Sequence, residues 1–198
     1  MPFQLPDQFD QEFEQGLRIG YERIPVSVFL CGKGLSPSKQ KKTIRRDIRS
    51  YLERKLTREW TKCQVKLGEH KTLMRAYRKV SGTSAFNLAD HEFKIAQNID
   101  LIIVFPCSAG SIAELGMFCL EDDLAHKLVL FVNRKYNKKK SYIMEGPIKA
   151  AKRRNSRVFV VDYNKQQQIW STVRDILLEL RANKGRKQLT PNVSKTEV

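Results

Sequence analysis

Residues 100–116, with the sequence DLIIVFPCSAGSIAELG, decide the fold of this chain. The five apolar residues at 101–105 predict a short strand that is buried on both faces. A turn of small and polar residues follows, and Ile112 opens a predicted helix whose first turn carries Glu114. A strand, a turn and a helix in this order place the turn at the carboxyl end of a parallel sheet, where open α/β sheets bind their ligands.

The turn itself contains groups that are suited to an anion. Ser108, Gly110 and Ser111 offer hydroxyls and backbone N–H groups at the start of a helix, where the helix dipole favours negative charge. A carboxylate beside such a cradle is typical of an active site. We therefore take Glu114 as the candidate chemical centre.

The same alternation of apolar runs and amphipathic segments extends through the rest of the chain. Further strands are predicted at 26–30, 64–67, 128–133 and 158–161, with helices between them. Five strands that alternate with helices predict a single, doubly wound α/β domain over residues 25–183. The first strand ends in a glycine-containing turn at the ligand end of the sheet, which makes its four residues candidate ligand contacts: Cys31, Gly32, Lys33 and Gly34.

The two ends and one internal segment differ from this pattern. Residues 1–24 carry Phe9, Phe13 and Leu17 at helical spacing, which predicts a helical extension that packs on the domain or on a partner subunit. Residues 184–198 are basic and lack core residues, so we expect a disordered tail. Residues 71–86 show weak periodicity and are interpreted as a loop with a helical piece that could act as a lid.

Composition limits the class of protein. The chain has 198 residues and contains no apolar run of the roughly 18 residues that a membrane span needs. Its four cysteines lack the spacing of a zinc site or a disulfide framework, which indicates free thiols in a reducing cytoplasm. The amino terminus is acidic and contains prolines, unlike a signal peptide.

The net charge of +16 needs a separate explanation. Lys and Arg concentrate at 39–58, 134–157 and 184–187. Such patches attract nucleic acid or steer a phosphorylated small molecule, although a solvated basic surface is the alternative for each patch. No aromatic residues alternate with the basic ones as a base-stacking platform requires, so electrostatic binding of nucleic acid is the form left open.

Six segments together resemble the nucleoside 2-deoxyribosyltransferase superfamily, and most of all its 2′-deoxynucleoside 5′-phosphate N-hydrolases. They span residues 26–164 in the order of that family: VFLCGKG, LGEH, ADHEFKIAQNIDLIIV, PCSAGSIAELG, LVLF and SYIMEGPIKAA. The resemblance implies a Rossmann-like, flavodoxin-like domain with a five-stranded parallel sheet. It also implies a homodimer with shared active sites that cleaves the N-glycosidic bond of a nucleotide without a cofactor or metal.

The resemblance also implies roles for individual residues. Glu114 would be the nucleophile that attacks the anomeric carbon, and Asp90 would be the general acid–base. Ser108 would bind the substrate 5′-phosphate, and Ser141 would bind it across the dimer. Considered without the resemblance, Asp90 fits a helix N-cap equally well, and Glu114 fits a favourable charge on a helix dipole.

Two other functions use the same site. Similar folds occur in NAD-cleaving and nucleotide-cleaving effectors of bacterial antiphage systems, and the basic surface would suit an effector held by nucleic acid. Alternatively, the domain senses nucleotides without catalysis and binds a phosphorylated ligand in the same cradle.

Overall fold

The computed structural model describes residue 20 and residues 23–34, 47–68, 87–137 and 141–189. Within these residues five strands form one parallel sheet in the order β2-β1-β3-β4-β5. The predicted α/β fold with a five-stranded parallel sheet is therefore confirmed. The strands are β1 (Val26–Cys31), β2 (Cys63–Leu67), β3 (Leu101–Val104), β4 (Leu128–Asn133) and β5 (Arg157–Val161).

Helices cover both faces of this sheet. They are α1 (Ile48–Glu59), α2 (Leu88–Gln97), α3 (Ala109–Phe118), α4 (Asp122–Ala125), α5 (Lys149–Arg153) and α6 (Gln166–Leu189). A 3₁₀ turn at Arg134–Tyr136 follows β4, and a π-helical turn at Met144–Ile148 leads into α5. No helix among the described residues is long and apolar enough to cross a membrane.

The central strands are apolar along their whole length because both of their faces are covered. All four residues of β3 are buried, as are the first five of β4. On one face the sheet packs against α1 and α6 through residues such as Leu52, Leu56 and Val173. On the other face it packs against α2, α3 and the segment after β4, through residues such as Leu115 and Phe118. This second face places Glu114 at the carboxyl end of the sheet.

Helix boundaries are set by capping groups that the apolar pattern does not contain. The side chain of Asp47 accepts from Ser50 N–H, so α1 begins at Ile48. Ser108 and Ser111 cap α3, which begins at Ala109, three residues earlier than predicted. The predicted helix at 1–24, apart from residues 20, 23 and 24, and the proposed lid at 71–86 lie outside the described residues.

The last helix is longer than the sequence predicts. Apolar periodicity ends at about Leu180, and we expected disorder beyond residue 183. In the structure α6 continues to Leu189, and Lys184 attaches this part of the helix to the sheet: it bonds to the carbonyl of Pro25 at 2.8 Å and to both carboxylate oxygens of Asp100 at 3.0 Å. Residues 184–189 are therefore helical, which corrects that part of the expected tail.

Candidate active site

Glu114 projects from the second turn of α3 into a half-buried position beside the end of β1. Its carboxylate is hydrogen bonded to the thiol of Cys31, and its Oε2 atom is buried with no hydrogen-bond partner among the described residues. Burial and, to a smaller extent, the nearby Glu92 raise the pKa of Glu114 to about 7, against the lowering effects of the Cys31 hydrogen bond and Arg49. A buried carboxyl group that titrates near neutral pH is typical of acid–base and nucleophilic sites.

Glu92 is the acidic partner that the structure brings to Glu114. A methyl group placed on Gly68 would lie 2.7 Å from Glu92 Oε1 and 3.6 Å from Glu114 Oε1, so these two oxygens are at most about 6.3 Å apart. Glu92 is half-buried on α2, and burial raises its pKa. The two carboxyl groups therefore lie together beside Gly68, just after β2, in the position where open α/β sheets have their ligand-binding crevice.

Asp90, the predicted general acid–base, occupies a different position. It lies on α2 only two residues before Glu92, but two residues rotate a helix by about 200°, so the two side chains project from opposite sides. Asp90 is exposed, and its carboxylate accepts from Asn87 N–H at 3.2 Å while its own N–H donates to Asn87 Oδ1 at 2.9 Å. The structure therefore shows Asp90 as part of a capping box, and its catalytic role stays a prediction.

The predicted anion cradle is a capped helix start. Ser108 N–H and Cys107 N–H donate to Ser111 Oγ at 3.0 and 3.1 Å, and Ser111 N–H donates to Ser108 Oγ at 3.3 Å. Ser111 is buried, so its hydroxyl supports the turn from within. Gly110 is exposed, and its N–H takes no part in the bonds of this cap that the structure describes. The N–H groups of Cys107, Ser108 and Ser111 are therefore used within the cap, which leaves the N–H of Gly110 as the candidate anion contact.

The glycine turn after β1 lies beside the same crevice. Cys31 is buried against Glu114, whereas Lys33 and Gly34 are exposed. A methyl group on Gly32 would lie 3.1 Å from the side chain of Arg49, so a larger residue here would require that buried arginine to shift by a few tenths of an ångström. Cys31 is therefore placed to hold the carboxylate, and Lys33 is placed on the solvent side.

Ser141 is the remaining predicted contact. Its hydroxyl donates to the Tyr136 carbonyl at 3.2 Å and accepts from Met144 N–H at 3.3 Å, so within this chain it stabilises the start of the segment that leads to α5. The predicted contact of Ser141 across a dimer stays a prediction. Among the described residues no group of His, Cys, Asp and Glu side chains is arranged to hold a metal ion, and the four cysteines are free.

The sequence reasoning missed two functional candidates, Glu92 and Arg49. Glu92 is followed at the spacing of one helical turn by Ala96, which is completely buried, so its phase on α2 was a signal that it faces inward. Arg49 is 3% exposed in the first turn of α1, close enough to influence Cys31, Cys107 and Glu114. Its sequence context, a run of basic residues, gave no signal.

Comparison with known proteins gives matches over much of this domain. The model of the STM3845 retron effector protein family matches residues 42–197. The "Retron Ec86 putative ribosyltransferase/DNA-binding protein" of Escherichia coli is 31% identical over 106 residues, which are 53% of this chain and 34% of that relative. The "Retron Ec73 putative ribosyltransferase/DNA-binding protein" of Escherichia coli is 41% identical over 64 residues, which are 32% of this chain and 20% of that relative. The aligned regions thus span about a third of these relatives or less.

Proposed function

The chain belongs to the STM3845 retron effector protein family, and from that premise we propose that it is a nucleotide-cleaving N-glycosidase. Its substrate would be a deoxynucleoside 5′-phosphate or NAD, and its role would be to deplete that nucleotide as the effector of an antiphage system. The observation that supports this proposal most directly is a pair of half-buried carboxyl groups, Glu92 and Glu114, which lie close together at the carboxyl end of the sheet. The relatives' names include "ribosyltransferase", which supports the same class of chemistry.

The first step makes one bond and breaks another. The ionised Glu114 attacks the anomeric carbon of the sugar, and the bond from that carbon to the base breaks through an oxocarbenium-like transition state. The electron pair of the broken bond goes to the nitrogen of the leaving base, which takes up the proton of the second carboxyl group, whereas nicotinamide is cationic before cleavage and leaves as a neutral molecule without that proton. The developing positive charge on the sugar favours the carboxylate form of Glu114, which offsets the effect of burial on its pKa.

The second step releases the sugar and regenerates the enzyme. Water attacks the anomeric carbon of the glycosyl ester, its proton passes to the second carboxylate, and Glu114 leaves as a carboxylate. Carboxyl groups about 5 Å apart are typical of enzymes that form such a covalent intermediate, whereas those about 6.5–9.5 Å apart leave room for a direct attack by water. The Oε1 atoms of Glu92 and Glu114 are at most about 6.3 Å apart, which allows the covalent route that the family resemblance implies.

Two residues compete for the role of proton carrier. Glu92 is favoured by its position, because it is half-buried and close to Glu114, and because burial raises its pKa. Asp90 is favoured by the family resemblance alone. The phosphate of the substrate would bind to the backbone at Gly110 and to Ser108 and Lys33, with Ser141 of the partner subunit completing the site in a homodimer.

The test measures release of free base and of nicotinamide by chromatography after incubation with deoxynucleoside monophosphates or NAD. Glu114→Gln keeps the shape of the side chain and should reduce release at least 100-fold. Glu92→Gln should reduce release from deoxynucleotides at least 10-fold more than from NAD, because nicotinamide leaves as a neutral molecule and needs no proton. Asp90→Asn makes an equal change of charge on the exposed side of α2. It should leave the rates of release from deoxynucleotides and from NAD within about twofold of the wild-type rates.

Three results would contradict parts of this assignment. Base release that survives Glu114→Gln would exclude Glu114 as the nucleophile. Loss of base release in Asp90→Asn but not in Glu92→Gln would identify Asp90 as the proton carrier. Tight nucleotide binding without any release would support the sensing module instead. The same set of variants therefore distinguishes an enzyme from a binding protein.

A further inference from the structure

We propose that the amino edge of the sheet, opposite the candidate active site, is a docking surface for the phosphate backbone of a nucleic acid. A groove of about 350 Å³ lies there between the starts of β3, β4 and β5 and the last turns of α6. Four cations line it: Lys127, Arg157, Lys184 and Lys187. This proposal goes beyond the proposed function, since it concerns a surface that takes no part in cleavage.

A cation stands at the start of every strand along this edge. Lys62 directly precedes β2, Lys127 directly precedes β4, and Arg157 is the first residue of β5. The starts of β1 and β3, which lie between β2 and β4 in the sheet, share one cation. The Nζ atom of Lys184 bonds to the Pro25 carbonyl before β1 and to Asp100 before β3. Five strands at a spacing of about 4.8 Å make a row about 19 Å long. Since the phosphates of one DNA strand rise about 3.4 Å each, the row spans about five of them.

The charge of the groove is positive after its internal pairs are considered. Its two acidic residues are already paired, Asp100 with Lys184 and Glu179 with Arg157. Lys127 donates to the neutral carbonyl of Gln97 at 2.9 Å and Lys187 is exposed, so these two cations are in excess over the acids that line the groove.

The end of α6 is held firmly enough to present its cations in a fixed arrangement. Arg181 is 1% exposed; its guanidinium donates to the Thr61 carbonyl and lies 4.5 Å from the centre of the Trp60 ring. Lys184, one turn further, is fixed by Pro25 and Asp100. Because these contacts are already made in the free protein, a nucleic acid that binds here pays little entropy to order the helix.

The two edges of the sheet are independent surfaces. A strand of five residues separates them by about 17 Å, so a nucleotide in the crevice and a polyanion on the groove do not compete for space. Docking therefore requires no catalysis, and failure of the glycosidase proposal leaves this one standing. The phrase "DNA-binding" in the names of the two Escherichia coli relatives refers to those proteins and is consistent with such a partner.

The experiment is a fluorescence anisotropy titration with labelled 20-nucleotide single-stranded DNA, the matching duplex and the matching RNA at several salt concentrations. Lys127→Ala/Lys187→Ala should weaken binding of the preferred oligonucleotide at least 10-fold at low salt. For a single strand the slope of log K against log salt should also become shallower by about 1.4, because each phosphate contact contributes about 0.7. The matched control, Lys135→Ala/Lys165→Ala, removes two exposed lysines from the other edge and should bind as the wild type does.

Glu114→Gln separates the two proposals, since it should lose base release and keep wild-type nucleic-acid affinity. The docking surface is wrong if the wild-type protein binds none of the three oligonucleotides, or if both lysine pairs weaken binding equally, which would indicate a diffuse charge effect. It is also wrong if vesicles rich in phosphatidylserine bind the protein more tightly than any of the oligonucleotides do. Thermal melting of each variant shows that the fold is intact before binding is compared.

Discussion

Replacement of Glu114 by Gln should stabilise the fold at neutral and alkaline pH. The pKa of Glu114 is raised to about 7 in the folded protein, mainly by burial, from an ordinary value of 4.5. A carboxyl group whose pKa is higher in the folded state binds its proton more tightly there than in the unfolded chain. The favourable contribution of this carboxyl group to the free energy of unfolding is present below about pH 4.5 and is lost as the pH rises through about 7. Above that, the fold holds a charge that the unfolded chain would solvate better.

The size of the effect follows from the shift. A difference of about 2.5 pKa units corresponds to about 3 kcal/mol of unfolding free energy, at about 1.4 kcal/mol per unit. For a chain of this size each kcal/mol moves the melting temperature by about 2–4 °C, so Glu114→Gln should melt about 6–12 °C higher at pH 8. The glutamine keeps the volume of the side chain, and its amide oxygen can still accept from the Cys31 thiol. At pH 4.5 the two proteins should differ by much less.

The measurement is thermal unfolding by circular dichroism at pH 4.5, 6, 7 and 8, with urea unfolding at 25 °C as a second reading. Glu121→Gln removes an exposed carboxylate of the same kind and should change the melting temperature by less than about 1 °C at every pH. A Glu114→Gln variant that is no more stable than wild type at pH 8 would refute the reasoning. So would a stabilisation of equal size at pH 4.5, because the gain would then not come from ionisation. The prediction needs no substrate, so it tests the burial of Glu114 separately from its chemistry.

Two other substitutions test the surroundings of the site and the amino edge. Gly68→Ala places a methyl group 2.7 Å from Glu92 Oε1, the end of a flexible side chain, so Glu92 should move while the fold remains; base release should fall at least 10-fold with a melting temperature within about 2 °C of wild type. Lys184→Met removes bonds to both oxygens of Asp100 and should cost about 1.5–3 kcal/mol at pH 7. Hydrogen bonds from Lys184 and Ser27 hold the pKa of Asp100 below its ordinary value against the effect of burial. That stabilisation is present above the ordinary pKa and is lost on acidification, so urea unfolding should show the difference narrowing as the pH falls towards 3.

Much of the fold is predictable because its signals are local. A strand covered on both faces must be apolar at every position, so the runs at 101–105 and 128–133 identify buried parallel strands without knowledge of their neighbours. The same is true of Glu114, because a strand, a turn of small residues and a helix fix its place at the carboxyl end of the sheet. The helix boundaries were less predictable, since Ser108 and Asp47 end the turns through hydrogen bonds that apolar periodicity does not register.

The sequence by itself determined the architecture, the edge of the sheet on which the candidate site is proposed, and the place of Glu114 at that edge. The tertiary structure decided which groups meet that carboxylate. Asp90 and Glu92 are two residues apart and equally acidic, but only the packing of α2 turns Glu92 inward and leaves Asp90 in an exposed cap. Cys31 and Glu114 are brought together by the pairing of β1 with β3, and Lys184 on α6 bonds to Asp100 at the amino edge of the sheet. Such contacts depend on how distant elements are oriented in space, which no local pattern records.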